Sequence, residues 1–312
     1  MQEPLKTARD YIQWGAELFT QAGLAFGHGT DNALDEAASL VLYALDIDYG
    51  QPDAVLDDPL DTAAGIRVRQ LLEQRVSTGK PGAYLTHVAW FAGLPFYVDE
   101  RVLVPRSPIA ELVQAQFSPW IDAERVAQVL DLATGCGCIG IACAYAFPGA
   151  RVDVSDVSAD ALAVVHENIK RHKMQGRIKA LAADVFAGLP RREYDIIVSN
   201  PPYVPSAEVR DLPREYQHEP AAGLAAGTDG LDIVVRILDG AADYLAADGI
   251  LVAEVGLSQE ALAALFPRVP FMWLEFDYGG EGVFLLDAPQ LRACRDEFRR
   301  EALRRADKST QK

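Results

Sequence analysis

Long apolar runs are missing from this sequence. None approaches the ~18–20 residues that carry a helix across a bilayer, so a membrane-spanning chain is not expected. The opening residues Met1-Gln2-Glu3-Pro4-Leu5-Lys6 lack the basic-then-apolar order of a secretory leader, and the expectation is cytoplasmic. Cysteine is scarce, with four in 312 residues. Cys136, Cys138 and Cys143 share one stretch and Cys294 is remote, a spacing that matches neither a zinc site nor a disulfide framework. They read as small buried thiols, and no metal site is expected. Basic charge is also short: 29 Lys and Arg face 45 Asp and Glu, a formal net charge of −16. Extended binding to nucleic-acid phosphates is therefore disfavoured. Such a balance either keeps the chain soluble or attracts basic partners. What remains is an ordinary globular composition, half hydrophobic and a quarter charged, long enough for two domains.

Residues 7–79 read as helical. In 32–45 the residues Leu34, Ala37, Ala38, Val41, Leu42 and Leu45 recur at helical spacing, and a second helix from Asp61 turns Ile66, Leu71, Leu72 and Val76 inward and stops at Gly79. The polar, proline-bearing stretch 46–59 reads as a loop. This region carries no catalytic cluster, so it either recognises a partner or packs as a cap. Residues 89–98 then read as an aromatic hairpin around a glycine turn, and 101–108 as an extended connector with Ser107 capping a short helix. The domain boundary is placed near Asp99, giving a helical domain over 1–99 and a second domain over 100–291.

From Val126 strands alternate with helices. Strands are expected at 129–132, 151–156, 178–182, 194–198 and 249–255, with a closing antiparallel pair at 271–277 and 282–286 around Gly279-Gly280. Ser158 caps a helix over 160–173. The pattern predicts an α/β fold, a doubly wound, mostly parallel sheet of seven strands. The charged tail over 292–312 reads as a frayed, solvated helix at best.

Two stretches carry the chemistry. Ser199-Asn200-Pro201-Pro202-Tyr203 follows the 194–198 strand, and the paired prolines force the chain out at the strand's carboxyl end, where open α/β sheets bind ligands. There Asn200 offers a side-chain carbonyl, Pro201 a main-chain carbonyl outside any ladder, and Tyr203 an aromatic plate. Such a set suits a planar –NH2 group that is to be held and alkylated. The second stretch is Gly135-x-Gly137-x-x-Gly140 between strand and helix, with Asp156 about 20 residues on to read a ribose hydroxyl. Asp131 at the end of the first strand repels the pyrophosphate of NAD and welcomes an ammonium or sulfonium. Asp184 adds an acceptor, and Phe186 an expected adenine contact. The set fits S-adenosylmethionine.

These residues resemble the class I amino methyltransferases, through the turn Asp131-Leu132-Ala133-Thr134-Gly135-Cys136-Gly137, Asp156 and Asn200-Pro201-Pro202-Tyr203. Ala83-Tyr84-Leu85-Thr86 and Val104-Pro105-Arg106 narrow the resemblance to the protein glutamine methyltransferases. Glu100 to Ile109, His218-Glu219-Pro220 and Phe271-x-Trp273-Leu274-Glu275-Phe276 look like the branch acting on large-subunit ribosomal protein number three. Cys136 stands where the family usually has a small hydroxyl residue, and His87 where a Gly or Asn is commoner. The resemblance implies a Rossmann-like methyltransferase domain with a small helical N-terminal domain and a connecting hairpin. It implies cofactor contacts from Asp131, Ala133, Thr134, Gly135, Cys136, Gly137, Asp156, Asp184, Val185 and Asn200. It further implies substrate contacts from Asn200, Pro201, Pro202 and Tyr203, with Asn200, Pro201 and Tyr203 catalytic. The implied partner is a basic ribosomal protein, free or in an assembly intermediate. Release-factor glutamine methylation, DNA adenine methylation and non-catalytic ribosome-assembly binding stay as alternatives.

In that mechanism Asn200 Oδ1 and the Pro201 carbonyl accept the substrate amide's two N–H bonds, while the Asn200 NH2 is expected to anchor the turn. The stretch 204–230 reads as a lid. Within it His218 is either a base or a hydrogen-bonded loop histidine, and His87 belongs to the domain junction.

Overall fold

The computed structural model describes residues 5–48 and 53–310. Residues 1–4, which carry most of the leader reading, 49–52 of the loop expected over 46–59, and 311–312 of the tail lie outside the described residues.

The N-terminal helices α1 (Ala8–Gln21), α2 (Ala33–Leu45) and α3 (Thr62–Thr78) begin where side chains satisfy their free N–H groups. Thr7 and Asp10 form a reciprocal capping box on α1, Asn32 accepts from Asp35 N on α2, and Asp61 accepts from Ala64 N on α3. Gly79, at φ 69°, ends α3 in the left-handed conformation. Phe19, Leu40, Val41, Val68 and Leu72 form their shared core. Two residues expected inward, Leu34 and Ile66, are exposed. Ile66 lies two positions from buried Val68, about 200° round the helix, so the inward stripe runs Ala64, Val68, Leu72 and ends on buried Arg75.

After α4 (Gly82–Thr86), the hairpin β1 (Ala89–Phe91) and β2 (Leu94–Phe96) turns through Ala92 and Gly93, both at positive φ. Its Phe91 and Phe96 join the core that holds Val129, Val152 and Val154, not the helical one. By shared core we propose a division near Gly79, ahead of the hairpin, in place of one near Asp99.

The remainder is one α/β unit: α5 (Ile109–Gln114), β3 (Gln128–Leu132), α6 (Cys138–Ala146), β4 (Arg151–Asp156), α7 (Ala159–Arg171), β5 (Ile178–Ala182), β6 (Tyr194–Ser199), α8 (Asp232–Ala241), β7 (Leu245–Glu254), α9 (Gln259–Leu265), β8 (Met272–Trp273) and β9 (Val283–Asp287). The seven-stranded sheet runs β5-β4-β3-β6-β7-β9-β8, with β9 antiparallel to both neighbours and the other neighbouring pairs parallel. Alternate residues of β3 and β6 feed two cores: Val129, Ile196 and Val198 one, Leu130, Leu132 and Ile197 the other. The chain leaves β3 toward β4 on one side and returns to β6 on the other. Leu132 is in register with both Ser155 and Ser199, which makes the carboxyl end of β3 the switch-point crevice.

The tail corrects the expectation of a frayed helix. After α10 (Ala288–Ala293), α11 (Arg295–Thr310) packs along α8. Phe298 is buried, and Arg295, Arg299 and Arg305 meet Asp243, Asp239 and Asp232 in antiparallel order. The tail has few apolar residues because ion pairs to a distant helix do part of the holding. No helix among the described residues is long and apolar enough to cross a membrane.

Candidate active site

At the end of β3 the chain makes a turn that needs left-handed backbone at Ala133, Gly135 and Gly137 before α6 begins. A Cβ on Gly140 would lie 2.3 Å from Val154 Cγ1, so glycine there lets α6 close on β4. Asp131 is fully buried behind this turn. Its Oδ2 accepts the Gly140 N–H at 2.9 Å and the Thr134 hydroxyl, while Oδ1 has no partner. Burial pushes its pKa up to about 7, against the opposing pull of those hydrogen bonds. Asp131 therefore braces the turn from within.

In front of the turn lies a cavity of about 180 Å³. It is lined by Ala133 and Gly135 after β3, Asp156 and Val157 at the end of β4, Asp184 and Val185 after β5, and Asn200 and Pro202 after β6. Asp131, Thr134, Cys136 and Gly137 are not among its lining residues. Asp156 is aimed by backbone: Oδ2 accepts the Gly135 N–H at 3.0 Å and Oδ1 the Ser158 N–H at 2.9 Å. Asp184 pairs with Arg236 at 2.7 Å. Phe186, expected beside an adenine, instead stacks on Tyr244 with centroids 4.7 Å apart and presses on Gly240, so it belongs to the core beside α8. Ile233 and Ile237 of α8 line the cavity unforeseen; only the tertiary fold brings that helix there.

The donor set fits a nucleoside with a cationic tail. Two carboxylates border the cavity, and its one arginine, Arg101, is bound to Asp99 at 2.6 Å, which leaves little for a pyrophosphate. Among the described residues no cluster could hold a metal ion, and Cys136, Cys138 and Cys143 are buried free thiols.

A second cavity, of about 350 Å³, also borders Asn200 and is lined by Pro201, Tyr203, Arg106 and Glu254. Asn200 borders both cavities. Ser199 Oγ donates to the Leu132 carbonyl at 2.7 Å, tying the ends of β6 and β3 together just before it. Among the described residues neither the Asn200 side-chain amide nor the Pro201 carbonyl has a hydrogen-bond partner. The expected anchoring role of the Asn200 NH2 is thus not seen, and both oxygens stand free for a ligand.

The stretch expected as a lid is a strut. It holds the short helical turns Glu208–Asp211, Arg214–His218 and Ala221–Gly223, and the middle one, with Glu219 after it, is tied to both the helical domain and the connector. Glu215 accepts the Ala25 N–H at 3.2 Å and lies 3.5 Å from Arg75, and Arg214 donates to the Thr78 carbonyl at 2.8 Å. Glu219 accepts from Arg106 and from the Val104 N–H. His218 Nε2 contacts the Thr78 carbonyl at 3.2 Å, the contact of a hydrogen-bonded loop histidine, and His218 lines neither cavity beside Asn200. His87 caps α4 and contacts the Val98 carbonyl at 3.1 Å, on the hairpin side of the division near Gly79.

Residues 116–215 match the family model described as methyltransferase small domain. A ribosomal protein uL3 glutamine methyltransferase from Xylella fastidiosa is 48% identical over 95% of each chain. One from Xanthomonas campestris is 47% identical over 93% of this chain and 94% of its own, and one from Francisella tularensis 44% over 95% of each. Among solved structures, a Pyrococcus furiosus methyltransferase is 17% identical at a TM-score of 0.46, covering 63% of this chain and 89% of that one. With such relatives along nearly its whole length, the chain belongs to the ribosomal protein uL3 glutamine methyltransferase family.

Proposed function

We propose that this chain methylates the side-chain amide nitrogen of a glutamine in ribosomal protein uL3, with S-adenosylmethionine as methyl donor. The observation that carries this reading is the pair of unpartnered oxygens, Asn200 Oδ1 on a residue that borders both cavities and the carbonyl of Pro201, which lines the second. Bound in the cavity beside Asp156, S-adenosylmethionine supplies an electrophilic methyl group. Asp156 reads its ribose, while Asp131 acts through the turn that it braces.

An amide nitrogen is a poor nucleophile because its lone pair is delocalised into the carbonyl. Two acceptors on its N–H bonds favour a pyramidal nitrogen and stabilise the positive charge that develops on it. Holding the nitrogen at Asn200 supplies the proximity term. Pro202 shapes the turn, and the Tyr203 ring forms a wall for the amide. No base is needed, since an alkylated amide nitrogen is acidic enough to lose its proton to solvent.

The substrate is basic, drawn by the net charge of −16, and is met in the cytoplasm as free protein or in an assembly intermediate. The N-terminal helical domain recognises it. The test is transfer of a labelled methyl group to purified uL3, to ribosomal particles, to a release factor and to DNA, with the modified residue located by mass spectrometry. Label on a uL3 glutamine is expected. Label on a release factor or on adenine alone would replace this reading.

A further inference from the structure

Tyr203 is held on three sides before any substrate arrives. Its hydroxyl donates to Glu254 Oε1 at 2.9 Å. Its main-chain carbonyl accepts from Ser258 Oγ at 2.9 Å. Its ring lies so close to Gly256 that a Cβ there would sit 2.7 Å from the ring edge. Of these, only the Glu254 contact fixes the ring through its own polar tip.

Glu254 ends β7, is 5% exposed and lines the same cavity as Asn200 and Pro201. Its other oxygen, Oε2, accepts from Ser107 Oγ at 2.5 Å. That hydroxyl also accepts the Ile109 N–H at 3.2 Å, at the start of α5. One carboxylate therefore joins three separate pieces of chain: the connector, the end of β7 and the Asn200 turn. With a hydrogen bond on each oxygen it is set as an acceptor. The phenol, committed to it as a donor, has no hydrogen to offer a substrate carbonyl, so Tyr203 meets the substrate with its ring face.

We propose that Glu254 is a positioning residue for methyl transfer, fixing the Tyr203 ring as the wall against which the glutamine amide is set. This rests on the methyl-transfer reading above. Its content is that the reach of the side chain matters and its charge does not. Gln keeps the reach: its oxygen still accepts from Ser107 and its NH2 donates to the phenol oxygen. Asp keeps the charge but withdraws the carboxylate by one methylene.

The experiment compares Glu254→Gln, Glu254→Asp and Glu254→Ala with the parent. Steady-state methylation of uL3 is measured over a range of pH, and a crystal structure of each protein is determined. Glu254→Gln should keep kcat within about tenfold, the scale of one altered hydrogen bond, with the parent pH profile. Glu254→Asp and Glu254→Ala should each lose about 100-fold in kcat, the scale of a misplaced reacting group, with little change in KM for the cofactor. In their crystals the Tyr203 ring should have turned. The reverse order, Asp active and Gln inactive, or loss of the acidic limb of the pH profile in Gln alone, would overturn the proposal in favour of a charged or basic role. An unmoved ring in Glu254→Ala would overturn it too. Parent turnover reports on the methyl-transfer reading, and the ring position on this inference, so the two fail separately.

Discussion

Arg106 and Glu219, 113 residues apart in the chain, meet through both ends of the guanidinium at 2.7 and 2.8 Å. Arg106 lines the cavity beside Asn200, and Glu219 sits in the strut, its side chain fully buried. Glu219 also accepts the Val104 N–H at 3.0 Å, so one carboxylate fastens the strut to the connector.

Breaking this pair from one side should be costly. A buried charge stripped of its partner destabilises by about 3–5 kcal/mol, and Glu219→Ala is expected in that range by urea denaturation followed by circular dichroism. Arg106→Lys should fall between the parent and that value, since an ammonium cannot make the paired contact. A loss under about 1 kcal/mol for Glu219→Ala would place the pair with weak surface bridges and refute the strut.

Beside the same pair lies His28, buried, with both ring nitrogens unpartnered, the Tyr216 ring at 4.3 Å and Glu219 at 3.7 Å. Burial first, then the charges of Arg106, Arg75 and His218, push its pKa from 6.5 down to about 3. The native state thus stays unprotonated where the unfolded chain takes up a proton, so the contribution of His28 to stability is lost as pH falls from about 6.5 to about 3. Asp131 works in the opposite sense. Its pKa rises from 3.8 to about 7, and its contribution is lost as pH rises through that window. Burial raises Asp156 and Glu254 as well, and Arg101 lowers Asp99, so the parent curve mixes opposed contributions and a variant is needed to separate that of His28. His28→Phe should gain on the parent as pH falls below 6.5, by up to about 1.4 kcal/mol per pH unit. A difference that does not change with pH in paired denaturation curves would remove His28 as its source.

These groups mark where the sequence is silent. Strands 151–156 and 178–182 run where the sequence puts them: the first is buried from Val152 to Ser155 and announces itself locally, and the second, a half-exposed strand at the sheet edge, is still bounded by its own short apolar run. The Asn200 turn is equally local, since two prolines end a strand whatever lies around them. Glu219, Glu254 and Arg75 look like surface charges in the sequence, and what buries them comes from far along the chain. Phe186 reads as a free aromatic until Gly240 makes room for it. The arginines of α11 read as solvated until the aspartates of α8 come alongside.

Asp156 should carry much of the cofactor affinity. Its carboxylate borders the cavity with both oxygens aligned by backbone N–H groups of Gly135 and Ser158. Losing a hydrogen bond to a charged group costs about 1.5–3 kcal/mol, so Asp156→Ala should weaken S-adenosylmethionine by about 10- to 150-fold in calorimetry. Asp156→Asn, which keeps one acceptor oxygen, should lose less. Undiminished affinity in a folded Asp156→Ala protein would take Asp156 out of the site.

Asn200 gives the sharpest test of the amide clamp. Had its NH2 anchored the turn, Asn200→Asp would have left a buried partner unsatisfied and shifted the acceptor. The structure gives that NH2 no partner among the described residues, so the aspartate inherits a turn already set by Pro201, Pro202 and the Ser199–Leu132 bond. It still offers an oxygen to the substrate N–H. Its negative charge favours the nitrogen that becomes positive, but it also strengthens the grip on the cationic cofactor before reaction, which helps the ground state as well. The two effects oppose, and partial activity is expected. Asn200→Ala keeps the turn and loses the acceptor, and should fall by about 10²–10³ in single-turnover rate, the scale of one deleted transition-state contact, while S-adenosylmethionine still binds. The order parent, Asp, Ala is the prediction. Methyl transfer by Asn200→Ala at the parent rate would show that the Asn200 oxygen does not hold the amide.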